Sequence, residues 1–412
     1  MKKKVLVVAF LALSLVAYSK GLGLEEILNR VEVGSPEVKI QELDIKIKDK
    51  NKKKALRNLI LPPVTISSEN DWEIAKKEGL GFEEIEAYIP IFQGGRMVYG
   101  YKKTGKELDL AKENQKLSVY TWQEQSVSEY FDALNYRKQR EITDKTIEAL
   151  QKQRARLDGL YKENKLIPKS EVLKVEADIE NNRAQNLQNI QKERAAKETL
   201  MQYLGYDLDK KIELDEFDAM SHLENIGVIK KVEAPEATTL GKRESLLVDI
   251  AEYDLKITKA DLYPSIYVKP SHKFREENKT TKEYENVNEG MVEVGFRYTF
   301  AWGATLDSVA QSQYRLDQAK LKYENNIRGI DLDMRNKLGE IESLAGQSGA
   351  QKKRVELLQE NLGIDNLRYD NELVTTFDYL NSVNQLRKAQ EDYYKLQREL
   401  VLAVIEYENL YR

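Results

Sequence analysis

Two histidines and no cysteine are a poor endowment for catalysis or metal binding in 412 residues. His222 falls in a stretch without periodicity and His272 in an alternating one, so the paired-histidine spacing that holds zinc is missing. Without cysteine there is no His/Cys metal site, no disulfide and no lipid attachment through an N-terminal cysteine. No glycine-rich loop followed by Lys-Ser/Thr offers a phosphate cradle. Carboxylates are plentiful, Asp+Glu 69 against Lys+Arg 65, but their pairs sit on solvated helical patterns where they serve as surface charge. Asp378 differs by position: it follows the Thr375-Thr376 turn at the start of a helical run, where an acid caps the helix or offsets its dipole. These residues predict no enzyme, no cofactor and no metal site. A formal net charge of −4 gives no basic excess for nucleic acid.

The elements that position these residues come in duplicate. A helical stretch reaching Pro62-Pro63 leads to two alternating runs around a polar loop, then Gly94-Gly95, then a very long helical pattern. The second half repeats the order: a helical stretch to Pro264, two alternating runs, Gly303, and another very long helical pattern. Ile91-Phe92-Gln93-Gly94 matches Phe300-Ala301-Trp302-Gly303, and Leu166 to Leu173 matches Leu373 to Leu380. Proline stops the incoming helices at Pro62, Pro63 and Pro264, and Gly94, Gly95 and Gly303 let strand swing back into helix. The organisation predicted is a signal peptide over 1–19 and a first repeat over 20–204, with strands at about 63–73 and 81–92. An irregular segment over 205–240 links it to a second repeat over 241–412, with strands at about 264–275 and 289–301.

Met1 to Ser19 has the three parts of an export signal: Lys2-Lys3-Lys4, an apolar run from Val5 to Ala17, and the small-x-small site Ala17-Tyr18-Ser19. Its removal takes the net charge to about −7. The alternating runs have the length of tilted strands that cross a bilayer. In Glu289 to Phe300, Val292, Val294, Phe296, Tyr298 and Phe300 share one face, while Glu293, Arg297 and Thr299 share the other. Phe82 to Phe92 sets Ile85, Ala87, Ile89 and Ile91 against Glu84, Glu86 and Tyr88. Asp71 to Gly81 and Arg275 to Gly290 read as polar loops, and Trp72, Phe92, Phe300 and Trp302 mark strand ends where an aromatic girdle would lie. Four strands cannot close a barrel and lipid tolerates no open edge, so copies must pool their strands.

From Arg96 to Tyr161, and from Thr305 to Tyr369, no proline interrupts a helical composition, a span of roughly 100 Å each. Leu386, Ala389, Tyr393, Leu396, Leu400, Ala403, Tyr407 and Leu410 step by three and four, the seam of a left-handed coiled coil. Leu306, Val309, Leu316, Tyr323, Ile327, Ile330, Met334, Ile341 and Leu344 hold most of the same register. Ser170 to Leu204 and Asp378 to Leu410 are expected to fold back antiparallel. Helices alone would equally fit an exported coiled-coil adhesin or surface structural protein. The paired strands at the same place in both repeats favour a membrane assembly.

In this order and duplication the chain resembles the TolC-like outer-membrane efflux proteins, over essentially its whole mature length. The resemblance implies an α+β membrane protein in which three copies build a twelve-stranded β-barrel continued by a helical barrel. It further implies a homotrimer in outer-membrane lipid with a long periplasmic extension. Such a duct passively serves an inner-membrane pump or type I secretion system through a periplasmic adaptor. It carries pore and gate roles onto Asp378, Glu171 (nearest acid in the first turn, displaced by one residue) and Tyr369. Two positions depart: Asn381 stands where a second pore acid is expected, and Val374 where an arginine helps hold the gate shut. Leu166, Ile167, Pro168, Leu373 and Val374 would be adaptor-contact tips, or else turn residues covering helix ends. Three carboxylates around a narrow wet neck would favour cations.

Overall fold

A computed structural model describes residues 21–61, 63–67, 84–164, 167–208, 212–216, 234–277, 284–371 and 373–411. The expected signal peptide, Pro62, Leu166, Trp72, His222 and most of the linking segment 205–240 lie outside them. The described elements are α1 (Leu24–Gly34), α2 (Pro36–Ile60), β1 (Val64–Ser67), β2 (Glu84–Ala87), β3 (Ile89–Phe92), α3 (Arg96–Asn164) and α4 (Lys169–Tyr203). After these come α5 (Thr239–Lys259), β4 (Ser265–Glu277), β5 (Tyr284–Arg297), α6 (Ala304–Asp370) and α7 (Thr376–Tyr411), with 3₁₀ turns at Pro235–Ala237 and Ala260–Leu262. Among the described residues no helix is long and apolar enough to cross a membrane.

Contacts divide the chain into two compact units. One is drawn from Met1–Pro36, Thr121–Lys230 and Gly339–Glu406, the other from Glu37–Tyr120, Lys231–Leu338 and Tyr407–Arg412. The division cuts α3 and α6 in mid-helix.

In the first unit, segments of α3, α4, α6 and α7 share one apolar cluster. Leu150 and Leu157 of α3 meet Val172, Val175 and Ile179 of α4, Tyr369 of α6, and Tyr379, Leu380 and Val383 of α7. Side chains buried this fully contribute about 1.5–3 kcal/mol each, which outweighs the weak intrinsic helicity of so charged a chain. The N-terminal segment is tied in by backbone pairing: Leu22 donates to Glu213 at 2.7 Å, and Asp215 donates back to Leu22 at 3.2 Å. Tyr130 donates its hydroxyl to the Asp215 carbonyl at 2.9 Å, and burial pushes that phenol up to about 12. Arg398 of α7 pairs with Asp132 of α3 at 2.8 Å.

In the second unit all strands join one antiparallel sheet in the order β1-β2-β4-β3, with β5 on the other side of β4. The run expected as one strand over 81–92 is two pieces split at Tyr88. The ladder to β4 skips from Glu86↔Ser271 to Ile89↔Val268, leaving a gap opposite Pro270, which has no amide to donate. A second irregularity follows Pro90, where Phe92 rather than Ile91 aligns with Ile266. Strict alternation therefore ends at this bulge.

Two strand bounds also move. The strand expected over 264–275 runs Ser265–Glu277, and the one expected over 289–301 runs Tyr284–Arg297. Of the polar residues assigned to a loop from Arg275 to Gly290, those up to Glu277 and from Tyr284 extend the paired strands, with Glu276↔Glu285 and Glu277↔Tyr284 paired, because backbone pairing needs no apolar side chains. At the other end the ladder stops at Ser265↔Arg297, so Tyr298 and Phe300 alternate in sequence without being strand. The strand expected over 63–73 is described only at Val64–Ser67. Of the seam positions expected along α6, Leu316, Ile330, Met334, Ile341 and Leu344 are buried, whereas Leu306, placed in the same seam by its spacing, is exposed.

Candidate functional site

The two turns that join the long helices form the first candidate region, within the first unit. Pro168 caps α4 in an extended conformation without a side-chain cap bond, and the Glu171 amide donates to the Pro168 carbonyl at 3.1 Å. The second turn is built differently. The Thr375 hydroxyl donates to the Asp378 carboxylate at 2.6 Å, and the Asp378 amide donates to the Thr375 hydroxyl at 3.2 Å. Thr375 and Asp378 thus close a reciprocal capping box, the local role that the Thr-rich turn predicts for this acid.

Around the second turn Tyr369 is buried, stacked on Tyr379 with ring centroids 5.0 Å apart, and its hydroxyl lies 2.9 Å from the Thr376 hydroxyl. Burial first, then the neighbouring Tyr369 and Asp370, push the Tyr379 phenol upward. Arg156 of α3 reaches across to this place. Its guanidinium pairs with the Asp370 carboxylate, donates to the Asp370 carbonyl at 3.0 Å, and lies 5.7 Å over the Tyr369 ring. Glu171 is held below the usual carboxylate range by Lys174 at 2.7 Å, a lowering opposed by partial burial and helped by the Thr376 hydroxyl.

A cleft of about 670 Å³ runs between the two turns, an ordinary size for a ligand-sized cavity. Arg156, Ile167, Pro168, Glu171, Tyr369 and Val374 all line it. Of the residues expected at gate and tips, this brings together Glu171, Tyr369, Ile167, Pro168 and Val374. Asp378 and Asn381 are exposed outside the cleft, as is Leu373 at 74%. Val374 packs half-buried against the apolar cluster. Arg156 and Asp370 carry no mark in the sequence. They are 214 positions apart, and each sits in a helix crowded with similar charges.

The second candidate region is the sheet of the second unit. Val292, Val294 and Phe296 of β5 are 68%, 70% and 76% exposed, and Val64, Ile66 and Ile91 are exposed with them. The register places Val294 beside Val268 and Ile89, and Phe296 beside Ile266 and Phe92, so apolar residues line one face in cross-strand rows. The opposite face is wet: Lys269 pairs with Glu86 at 2.5 Å, Tyr267 donates to Glu293 at 3.2 Å, and Tyr88 packs on Tyr267. β1 and β5 pair on one side only among the described residues.

The strand-to-helix junctions hold glycines in left-handed backbone, Gly94 at φ 59°, Gly95 at φ 85° and Gly303 at φ 96°. At Gly94 a Cβ would lie 2.7 Å from the Ala260 carbonyl oxygen, so the first junction also packs too tightly for a side chain. Trp302, 90% exposed, adopts φ 48°, a conformation its bulk disfavours and its sequence does not announce. Pro63 and Pro264 immediately precede β1 and β4.

No family model matches the sequence, and no curated protein matches it. Solved structures do. The chain is similar to CusC, described as forming a transmembrane channel, with TM-score 0.80, 14% identity, and 94% of this chain and 91% of that one covered. It is similar to the CmeC outer membrane channel of Campylobacter jejuni, with TM-score 0.79 and 12% identity over 94% and 85% of the two chains. It is also similar to the MtrE outer membrane channel of Neisseria gonorrhoeae, solved in an open state, with TM-score 0.73 and 13% identity over 94% and 88%. The fold is the one these outer-membrane channels share.

Proposed function

We propose that this chain is the protomer of a trimeric outer-membrane duct. In it, three copies pool their strands into a twelve-stranded barrel, and their long helices continue the passage into the periplasm. The observation that carries the reading is the sheet: one apolar face exposed across its rows, one wet face, and, among the described residues, an unpaired edge on either side. Lipid accepts the first of these only if the third is closed, and a neighbouring copy closes it. The likeness to solved channels supports the same reading. The chain supplies passage, not power, and works as the exit of a tripartite efflux pump or type I secretion system.

The turn region is the proposed periplasmic gate. Arg156 bound to Asp370 and lying over Tyr369 fastens α3 to the α6 end, the cation coming from a helix rather than from the turn. Glu171 and Asp378 supply the acids, and the exposed Leu373 with Pro168 supplies the tips that meet an adaptor. Fractionation and unboiled electrophoresis test the assembly: an outer-membrane trimer is expected, and a soluble monomer or a filament would return the chain to the adhesin class. In planar bilayers, Asp378→Asn is expected to change cation block or single-channel conductance. Unchanged currents would leave Asp378 with its capping role alone.

A further inference from the structure

We propose that the C-terminal half of α2 is a binding site for anionic phospholipid headgroups, formed by Lys50, Lys53, Lys54 and Arg57. The proposal rests on the outer-membrane reading above, since it assigns those headgroups to the leaflet next to the helix. Lys46, Lys50, Lys53, Arg57 and Ile60 step by four, three, four and three, so they share one helix face. The cations on it are exposed, and so is Ile60 at 66%. Leu61 continues the exposed apolar surface, and β1 begins at Val64 with Val64 and Ile66 exposed in turn. From Lys50 to Val64 that face therefore passes from ammonium groups to aliphatic carbon, while Leu43 and Ile47, farther from the sheet, are exposed as well.

That order is the one a membrane interface imposes, with aliphatic groups at the hydrocarbon edge and cations at the phosphates. A stripe lining a water-filled passage would gain nothing by ending in exposed isoleucine and leucine. Distance decides which cations belong. A headgroup layer of about 6 Å plus a Debye length of about 8–10 Å reaches roughly ten residues back along a helix. Lys50 to Arg57 fall inside that reach from Ile60, and Lys46 falls outside it.

The charges are not consumed within the chain. Asp49 is the only carboxylate between Asp44 and Glu69, and Lys53 holds it at 2.6 Å. Lys50, Lys54 and Arg57 make no ion pair among the described residues. Compensation of the helix dipole accounts for Arg57 alone, which is the only basic residue in the last turn.

The test uses the full chain in neutral detergent, with fluorescent phosphatidylglycerol as probe and phosphatidylcholine as competitor. Wild type should bind phosphatidylglycerol in preference, less so at high salt. The combined variant Lys50→Gln, Lys53→Gln, Lys54→Gln and Arg57→Gln should bind it about tenfold more weakly or worse. The variant Lys50→Arg, Lys53→Arg and Lys54→Arg should keep wild-type binding. Equal binding by the Gln variant, or no preference in wild type, would overturn the site. So would a Gln variant with altered ion selectivity, which would put the stripe in the water path, or one that loses its trimer, which would put it between copies. A protein that enters no bilayer, neutral or anionic, would bring down the outer-membrane reading itself. One that enters bilayers but binds phosphatidylglycerol and phosphatidylcholine equally brings down only the lipid site.

Discussion

The two helix turns occupy matching places in the two repeats and are held by different means. At the first, Pro168 sets the backbone and no side chain caps α4. At the second, Thr375 and Asp378 cap α7 reciprocally, Tyr369 is fixed by Tyr379 and Thr376, and Arg156 is drawn in from α3. The duplicated segments divide their turn chemistry unequally. The first turn opens its helix without a side-chain cap, whereas the second is closed by a set of polar side chains.

The sharpest break in this comparison is Tyr369→Ala, which removes a buried ring, its stack and its hydroxyl contact. A loss of about 3–5 kcal/mol is expected, read as a lower midpoint of heat denaturation and a raised resting conductance. Thr375→Ala removes one half of the capping box and should cost about 1 kcal/mol in the same measurement. Acid titration separates the turns further. The folded Glu171 carboxyl titrates below its ordinary value of 4.5, so its stabilisation is complete above that value and is lost as pH falls through the lowered one. Glu171→Gln should flatten that part of the acid-melting curve; a variant curve parallel to wild type would remove Glu171 from the turn's cohesion. Pro168→Ala should have the smallest effect, about 0.5 kcal/mol through a freer unfolded chain. If it instead matched Thr375→Ala, the contrast between the turns would be gone.

Periodicity made the long elements legible. The run from Arg96 to Tyr161 became Arg96–Asn164, and that from Thr305 to Tyr369 became Ala304–Asp370, because heptad spacing and the lack of proline act over many residues. Strand ends were harder to read, since they depend on the partner. Pro270 breaks the pairing of β2 with β4, and Ser265 ends the ladder before the alternation of Tyr298 and Phe300 runs out. The turn residues divide the same way. Asp378 could be read as a cap from its immediate neighbours, whereas Arg156 could not be matched to Asp370 from any local pattern.

The lopsided sheet has a consequence for how the protein is made. β5 offers fourteen residues along a flank with no partner among the described residues, while β1 offers four. Such a flank will accept a strand from any molecule it meets. Under the proposed assembly, each newly made molecule is in a race between proper ring closure and indiscriminate stacking until sister copies arrive. The yield should therefore depend on how quickly copies are supplied, and on whatever escorts that flank in the meantime.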